Sequence, residues 1–104
     1  MGSYKIQITE PAENDLTEIG EYIAKELLEV NTAKKVVSKI GEAIMKLEEL
    51  PLRNSLVLDE RLAFQGIRRI LIDSYVAFYI ITEENKTVTI IRILYNRRDW
   101  INLL

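Results

Sequence analysis

Residues 67–95 have the sequence IRRILIDSYVAFYIITEENKTVTIIRILY, which contains three runs rich in β-branched and aromatic residues. Such residues favour strands because their side chains pack well on a pleated, half-buried surface. The dipeptide Asp73-Ser74 separates the first two runs, and residues 83–86 (EENK) separate the last two; both segments are typical of turns. The spacing therefore predicts an antiparallel meander of three strands at 67–72, 75–82 and 87–95.

Two helical patterns precede the strands. Apolar residues recur every three or four positions over residues 12–27 and again over residues 33–47, which is typical of amphipathic helices. Thr9 or Glu10 is the expected cap of the first helix, and Asn31-Thr32 is the expected cap of the second. The short gap between the two patterns predicts an antiparallel helical hairpin.

The N-terminus adds one more strand. Tyr4, Ile6 and Ile8 alternate with polar residues, which indicates a short half-buried strand. The predicted order is therefore β-α-α-β-β-β, an α+β fold in which the helical hairpin packs on one face of an antiparallel β-sheet meander. We expect one domain over residues 1–104. The other face of the sheet is expected to be open unless a partner or the C-terminal tail covers it.

Composition excludes several classes of active site. The chain has 104 residues, no cysteine and no histidine. It therefore has no disulfide, no thiolate nucleophile, no imidazole base and no zinc site built from these ligands, and we expect neither a metal nor a cofactor. No secretory signal or membrane-spanning run is visible, so we expect a soluble cytoplasmic protein with no membrane partner.

Charge is distributed unequally along the chain. Residues 1–50 contain ten acidic residues, six lysines and no arginine, whereas residues 51–104 contain six acidic and eight basic residues. Seven of those eight bases are arginines: Arg53, Arg61, Arg68, Arg69, Arg92, Arg97 and Arg98. Arginine binds phosphate and carboxylate through a planar fork that lysine lacks. The candidate functional surface is therefore the sheet and the tail.

Arg92 is the arginine whose surroundings the predicted fold defines most closely. Strict alternation puts it on one face of the third strand, and the other members of that face are apolar: Val88, Ile90 and Leu94. A buried charge without a partner is very costly, so Arg92 must be paired or must open onto a cavity. The structural alternative pairs Arg92 with Asp73, Asp99 or Glu83, and Arg97 or Arg98 with Asp99 at the surface.

A cationic site for phosphates is the functional alternative. Arg68 and Arg69 are adjacent and lie on opposite faces of their strand, so only one of them shares a patch with Arg92. Neighbouring strands are about 5 Å apart. Arg69 or Arg68 is therefore expected to converge with Arg92 and Arg98. The chain has no glycine-rich phosphate loop to supplement these side chains. Tyr95, beside the arginines, is the candidate proton donor or base-stacking platform.

Several segments, in this order and spacing, resemble the RelE/ParE superfamily of toxins from bacterial and archaeal type II toxin–antitoxin systems. The segments are Tyr4-Lys5-Ile6, residues 9–16 (TEPAENDL), Ile19, Tyr22-Ile23, Leu47, Leu50-Pro51, residues 66–69 (GIRR), Tyr75, Phe78-Tyr79, residues 91–95 (IRILY) and residues 97–100 (RRDW). The resemblance covers nearly the whole chain. It implies a fold of two helices packed on an antiparallel sheet, in agreement with the periodicity.

The resemblance also implies a growth-arresting toxin that a cognate antitoxin neutralises. The antitoxin of such a pair typically wraps an otherwise disordered segment over the toxin's basic site or hydrophobic groove. RelE-like members enter the ribosomal A site and cut mRNA, whereas ParE-like members poison DNA gyrase without hydrolysis. Ribosome-dependent mRNA cleavage is our first expectation. A gyrase inhibitor and a non-toxic relative that serves as a binding module are the alternatives.

For the ribonuclease hypothesis, the resemblance assigns roles to individual positions. Arg69 matches a basic strand position and Arg98 matches a late arginine. Val76, however, occupies the arginine position of a Tyr-Arg-x-x-Tyr-like stretch, and Tyr95 stands where many relatives have histidine. The vacancy at Val76 argues against strong nuclease activity, because the loss of one charge-stabilising group costs about 10²–10³ in rate.

The implied reaction is attack of a 2′-hydroxyl on the adjacent phosphate. Arg69, Arg92 and Arg98 would stabilise the developing charge, and Tyr95 or a basic group of lowered pKa would move the proton. Arg68 and Arg97 are further candidates for contacts with nucleic acid. The predicted site therefore consists of these two residues and the four catalytic candidates, Arg69, Arg92, Arg98 and Tyr95.

Overall fold

The computed structural model describes residues 3–49, 51–96 and 104. Its main elements are β1 (Lys5–Ile8), α1 (Glu10–Glu21), α2 (Val30–Met45), α3 (Glu60–Phe64), β2 (Arg68–Ile72), β3 (Tyr75–Thr82) and β4 (Thr87–Tyr95). Shorter helical turns lie at Tyr22–Glu26, Lys46–Glu48 and Pro51–Arg53. Within this part of the chain, every helix is too short or too polar to traverse a bilayer.

The four strands form one sheet in the order β1-β4-β3-β2. β2, β3 and β4 pair antiparallel as consecutive neighbours, so the predicted meander is confirmed. β1 joins the outer edge of β4 in parallel, with Ile6 opposite Val88. The helical hairpin packs on one face of this sheet, and the predicted α+β fold is therefore confirmed.

The main core lies between the hairpin and the sheet. Its fully buried members are large and apolar: Ile40, Ile44, Tyr79, Val88, Ile90 and Ile93. Tyr79 brings a hydroxyl into this core, and that hydroxyl donates to the Pro51 carbonyl oxygen at 2.6 Å. Because the polar tip is satisfied, the ring contributes its apolar area without the cost of an unpaired donor.

Both helix starts can be compared with the predicted caps. Thr9 caps α1, because its Oγ1 accepts a hydrogen bond from the Ala12 amide at 3.2 Å. The second predicted cap is wrong: α2 begins at Val30, with Glu29 rather than Asn31-Thr32 at the N-cap position. The chain reverses two residues earlier than predicted, because Leu28 adopts a left-handed backbone conformation, with φ of 55°.

β4 contains a bulge that sequence alternation does not predict. Tyr79 of β3 pairs with Ile90. The preceding residue of β3, Phe78, pairs with Arg92, so Ile91 is an extra residue on β4. A bulge of this kind places two residues of one strand opposite one residue of the other.

The bulge moves the second half of β4 to new faces. Val88 and Ile90 face the helices together with Ile93. Leu94, in contrast, belongs to a second core on the opposite side of the sheet. The predicted face that combined Val88, Ile90, Arg92 and Leu94 is therefore wrong, because the extra residue after Ile90 reverses the alternation.

The second face of the sheet is covered by the segment between α2 and β2. Val57, Leu62 and Ile67 pack there against Phe78 and Leu94. Leu62 belongs to α3, a five-residue helix that the sequence analysis did not predict; the Asp59 carboxylate caps it by accepting from the Leu62 amide at 3.0 Å. Leu104 packs partly against the same cluster.

Candidate functional site

The most strongly bound of the candidate arginines is Arg92. Its Nε donates to Oδ2 of Asp15 at 2.6 Å, and its Nη2 donates to Oδ1 at 2.8 Å. The Ile93 amide donates to the same Oδ2 at 3.0 Å. The Asp15 side chain is only 8% exposed, and the hydrogen bond to it raises the pKa of Arg92. Arg92 is therefore held in a bidentate ion pair.

The Asp15–Arg92 pair forms where β1 ends and α1 lies beside the edge of β4. β1 ends with Ile8 opposite Ile90, so the following residues of β4 have no parallel neighbour. Thr9 closes the gap: its amide donates to the Ile90 carbonyl at 3.1 Å, and its hydroxyl donates to the Ile91 carbonyl at 3.0 Å. α1 starts immediately afterwards and brings Asp15 to the next free amide of the edge.

The pairing of Arg92 agrees with the structural alternative, but the partner was not among those proposed. Asp73 pairs with Lys39 at 2.9 Å, and Glu83 accepts from the Tyr4 hydroxyl at 2.7 Å. Asp99 lies outside the described residues. The sequence analysis missed Asp15 because its position near the start of a helix already explained an acidic residue.

Arg69 lies on the face of the sheet opposite the two long helices. It pairs across the strands with Phe78, which in turn pairs with Arg92. The three residues form one row on that face, and two strand spacings separate Arg69 from Arg92 by about 10 Å. Within residues 3–49 and 51–96, the Arg69 side chain has no carboxylate partner. Its cation is available to an external anion.

Arg68 lies on the other face of β2, as strand alternation predicts. It pairs with Tyr79, and its Nη1 donates to the Asn54 carbonyl at 2.6 Å. A longer contact of 3.4 Å reaches the Leu52 carbonyl. Arg68 therefore anchors the segment that leads from α2 to the sheet, and it does not share a patch with Arg69.

Tyr95 lies at the end of β4, on the helix side of the sheet. Its ring meets the Tyr75 ring edge-on, with centroids 5.7 Å apart. Burial and the neighbouring Tyr95 raise the pKa of Tyr75. Because Tyr95 pairs with Tyr75 and Arg69 pairs with Phe78, Tyr95 and Arg69 lie on opposite faces. The structure does not bring these two candidates into one site.

The remaining two candidates, Arg97 and Arg98, lie outside the described residues. In the ranges that the structure describes, no three His, Cys, Asp or Glu side chains converge into a set of metal ligands. The candidate arginines that are placed thus divide into a paired residue, an anchoring residue and one unpaired residue, Arg69.

An apolar groove lies between α1 and the end of β4, with a volume of about 610 Å³. Its walls combine aromatic and aliphatic side chains with the carboxylate of Glu18, beside the paired Asp15. The other lining residues are Ile19, Tyr22, Leu27, Tyr75, Ile93, Leu94 and Tyr95. Tyr22 and Leu27 are each more than half exposed. The sequence analysis placed Leu27 in the buried stripe of the first helix. In the structure α1 ends at Glu21, so Leu27 lies beyond the helix and is exposed.

Comparison with known proteins identifies the chain. The family model described as the ParE toxin of the type II toxin–antitoxin system, parDE, matches residues 6–100. The chain belongs to the ParE toxin family. It is thus a toxin of a type II toxin–antitoxin system, and the predicted membership of the RelE/ParE superfamily is confirmed. No curated protein matches the sequence.

Solved structures share the fold of this ParE-family toxin. The chromosomal ParDE system of P. aeruginosa matches with a TM-score of 0.74 and 21% identity, over 91% of this chain and 98% of that one. The RelBE2 toxin–antitoxin complex of Mycobacterium tuberculosis has a TM-score of 0.68 and 21% identity, with coverage of 89% and 98%. A mutant E. coli toxin RelE in the free state has a TM-score of 0.68 and 14% identity, with coverage of 97% and 92%.

Proposed function

We propose that this ParE-family toxin inhibits DNA gyrase by protein contact and does not hydrolyse RNA. One observation carries the proposal: Arg92, the centre of the expected phosphate clamp, is bound on two nitrogens by Asp15. A catalytic clamp needs donors aimed at the charge that develops on the phosphate. An arginine whose Nε and Nη2 already serve a carboxylate lacks that fork for phosphate.

The position of Tyr95 supports the same proposal. Proton transfer requires a group within hydrogen-bond reach of the reacting oxygen. Tyr95 and Arg69 lie on opposite faces of the sheet, so one bound phosphodiester does not meet both. Val76, at the position where RelE-like enzymes have an arginine, is buried in the second core and adds no positive charge.

We also propose that a cognate antitoxin neutralises the toxin. Two of the similar structures, from P. aeruginosa and M. tuberculosis, are of a toxin–antitoxin system or complex. In this chain the groove beside Tyr22 and Tyr95 offers apolar walls and the carboxylate of Glu18, whose charge also acts on Arg92. A disordered segment with apolar anchors and a basic residue matches that lining.

Induction of the chain with and without the neighbouring antitoxin gene tests the proposal. We expect growth arrest only without the antitoxin, together with stabilised gyrase–DNA cleavage complexes and no A-site cuts by primer extension on translated mRNA. Normal supercoiling with excess purified toxin would exclude gyrase inhibition. Unimpaired growth without the antitoxin would instead indicate a non-toxic binding module.

Ribosome-dependent mRNA cleavage is the second candidate, and Arg69 is the observation that favours it. This arginine has no carboxylate partner in the described part of the chain, on the face of the sheet opposite the long helices. If the second candidate is correct, the double variant Arg69→Ala/Arg98→Ala loses A-site cleavage. Arg61→Ala, which removes an exposed arginine of α3, is the matched control.

A further inference from the structure

The turn between α1 and α2 presents an exposed apolar surface. Leu27, Leu28 and Val30 are 53%, 83% and 56% exposed; we refer to these three residues as the hairpin tip. They follow the π-helical turn Tyr22–Glu26, which loosens the end of the first helix. Three large exposed apolar side chains within four positions at the end of a hairpin are more than the scattered exposure of an ordinary surface.

Folding does not account for leucine at position 28. Its φ of 55° lies in the left-handed region, where glycine and asparagine are far more favourable than a leucine. Its side chain is mostly in solvent, so it gains little from burial. The chain therefore accepts an unfavourable backbone conformation at a residue whose side chain contributes little to the core, and such positions concentrate at functional surfaces.

Acidic residues surround the hairpin tip. Glu21, Glu26 and Glu29 are all exposed. Lys25 is paired with Glu21 at 3.4 Å, and Lys34 lies beside Val30, so these three acidic and two basic residues leave the rim a net charge of −1. An apolar surface with a net negative rim is complementary to an apolar recess ringed by lysine and arginine. An enzyme that holds DNA has basic surfaces of this kind, because it neutralises phosphates.

We propose that the hairpin tip is the surface by which the toxin contacts gyrase, at a basic, DNA-holding part of that enzyme. The proposal rests on the proposed function, and it adds the contact surface and its chemistry. Leu28 is the apolar anchor, and Glu26 and Glu29 supply the complementary charge. The groove beside Tyr22 shares Leu27 with the hairpin tip but does not include Leu28, so the surfaces for target and antitoxin overlap at Leu27.

The decisive experiment compares Leu28→Asn with Leu58→Asn. Both leucines are 83% exposed, but Leu58 lies before α3 and has no left-handed φ. We expect Leu28→Asn to weaken binding to purified gyrase, and inhibition of supercoiling, by about tenfold or more, as loss of an interface anchor does. Its melting temperature should be equal or higher, because asparagine tolerates this backbone. Leu58→Asn should leave both unchanged.

A second pair of variants tests the charge. Glu26→Lys should weaken gyrase binding and reduce its sensitivity to salt, because it removes an attraction that salt screens. Glu84→Lys, at an exposed site in the turn between β3 and β4, is the matched control and should bind as the wild type does. Equal binding of Glu26→Lys and Glu84→Lys would contradict the role of the acidic rim.

The outcomes separate this inference from the proposed function. A wild-type chain without effect on gyrase overturns the proposed function and the inference with it. A wild type that inhibits, with Leu28→Asn equally potent, overturns the inference alone. A Leu28→Asn variant that loses antitoxin binding but still inhibits gyrase assigns the tip to the antitoxin. If Leu28→Asn changes the sedimentation of the free toxin while inhibition of gyrase is intact, the hairpin tip is assigned to contact with a second copy of the chain.

Discussion

Asp15 and Arg92 are 77 positions apart in the chain, yet two hydrogen bonds of 2.6 and 2.8 Å join their side chains. The first residue lies on α1 and the second on β4. A third bond, from the Ile93 amide to Oδ2, makes the same carboxylate serve the open edge of the sheet. This single side chain thus fixes the helical hairpin to the strand that carries the predicted site.

Replacement of Asp15 by asparagine should destabilise the fold. The variant retains one acceptor but removes the charge that balances Arg92, whose side chain is 23% exposed. We expect a loss of about 2–3 kcal/mol in the free energy of unfolding, measured by urea denaturation. Asp73→Asn is the matched control: its pair with Lys39 is more than half exposed on both sides, so it should cost at most about 1 kcal/mol. Equal costs would contradict this assignment.

Two glycine variants should have effects of opposite sign. Gly66 has a φ of 83°, so Gly66→Ala is strained although its Cβ would meet no atom within 4 Å. Gly41 lies inside α2 and also has open space around a new Cβ. We expect Gly66→Ala to destabilise by about 1 kcal/mol and Gly41→Ala to stabilise by about 0.5–1 kcal/mol. Thermal unfolding of the two variants checks the difference, and two shifts of the same sign would refute it.

Glu83 should contribute to the pH dependence of stability. Its hydrogen bond from Tyr4, and then its contacts with Lys86, hold its pKa below the ordinary value of 4.5. A group with a lowered folded-state pKa stabilises the fold above its unfolded pKa, and this contribution is lost as pH falls through the folded pKa. Tyr4→Phe should raise the pKa of Glu83 toward 4.5, as an NMR titration of its carboxyl would show. The difference in the free energy of unfolding between Tyr4→Phe and the wild type should shrink as the pH falls below 4.5 and through the folded-state pKa of Glu83.

The groove should depend on Tyr22 for antitoxin binding. Tyr22→Ala removes an exposed wall of the groove and leaves the core intact, because the side chain is 57% exposed. We expect affinity for the cognate antitoxin to fall by about tenfold or more, measured by calorimetry, with a melting temperature close to that of the wild type. Tyr4→Ala, at the residue just before β1 and outside the groove, provides the control for loss of a partly exposed tyrosine. Affinities that fall equally in both variants would argue against the groove.

The parts of the fold that are encoded locally were predicted from the sequence. The helical stripes and the three β-rich runs repeat over a few residues, so their periods identify the hairpin and the meander. The Thr9 cap is also a local signal, and it is confirmed by the bond to the Ala12 amide. Helix α3 was missed because five residues are too few to establish a helical period.

The site was less predictable, because its geometry depends on contacts between distant segments. Nothing in the run of β-branched residues around Ile91 marks the bulge, yet that one residue decides which face Arg92 shares with Phe78. The partner of Arg92 could not be chosen either, since it depends on where α1 passes the edge of β4. The separation of Arg68 and Arg69 onto two faces was predictable, because alternation along β2 is local.

The bulge at Ile91 has a consequence for changes in chain length. The pairs Tyr79–Ile90 and Phe78–Arg92 are consecutive on β3, so deletion of Ile91 would leave every other β4 residue opposite its present β3 partner. What the spare residue supplies is its carbonyl, which accepts the Thr9 hydroxyl where β1 gives way to α1. β4 is thus two short strands joined by a single extra residue, whose side chain packs against the second core and whose carbonyl holds the start of α1.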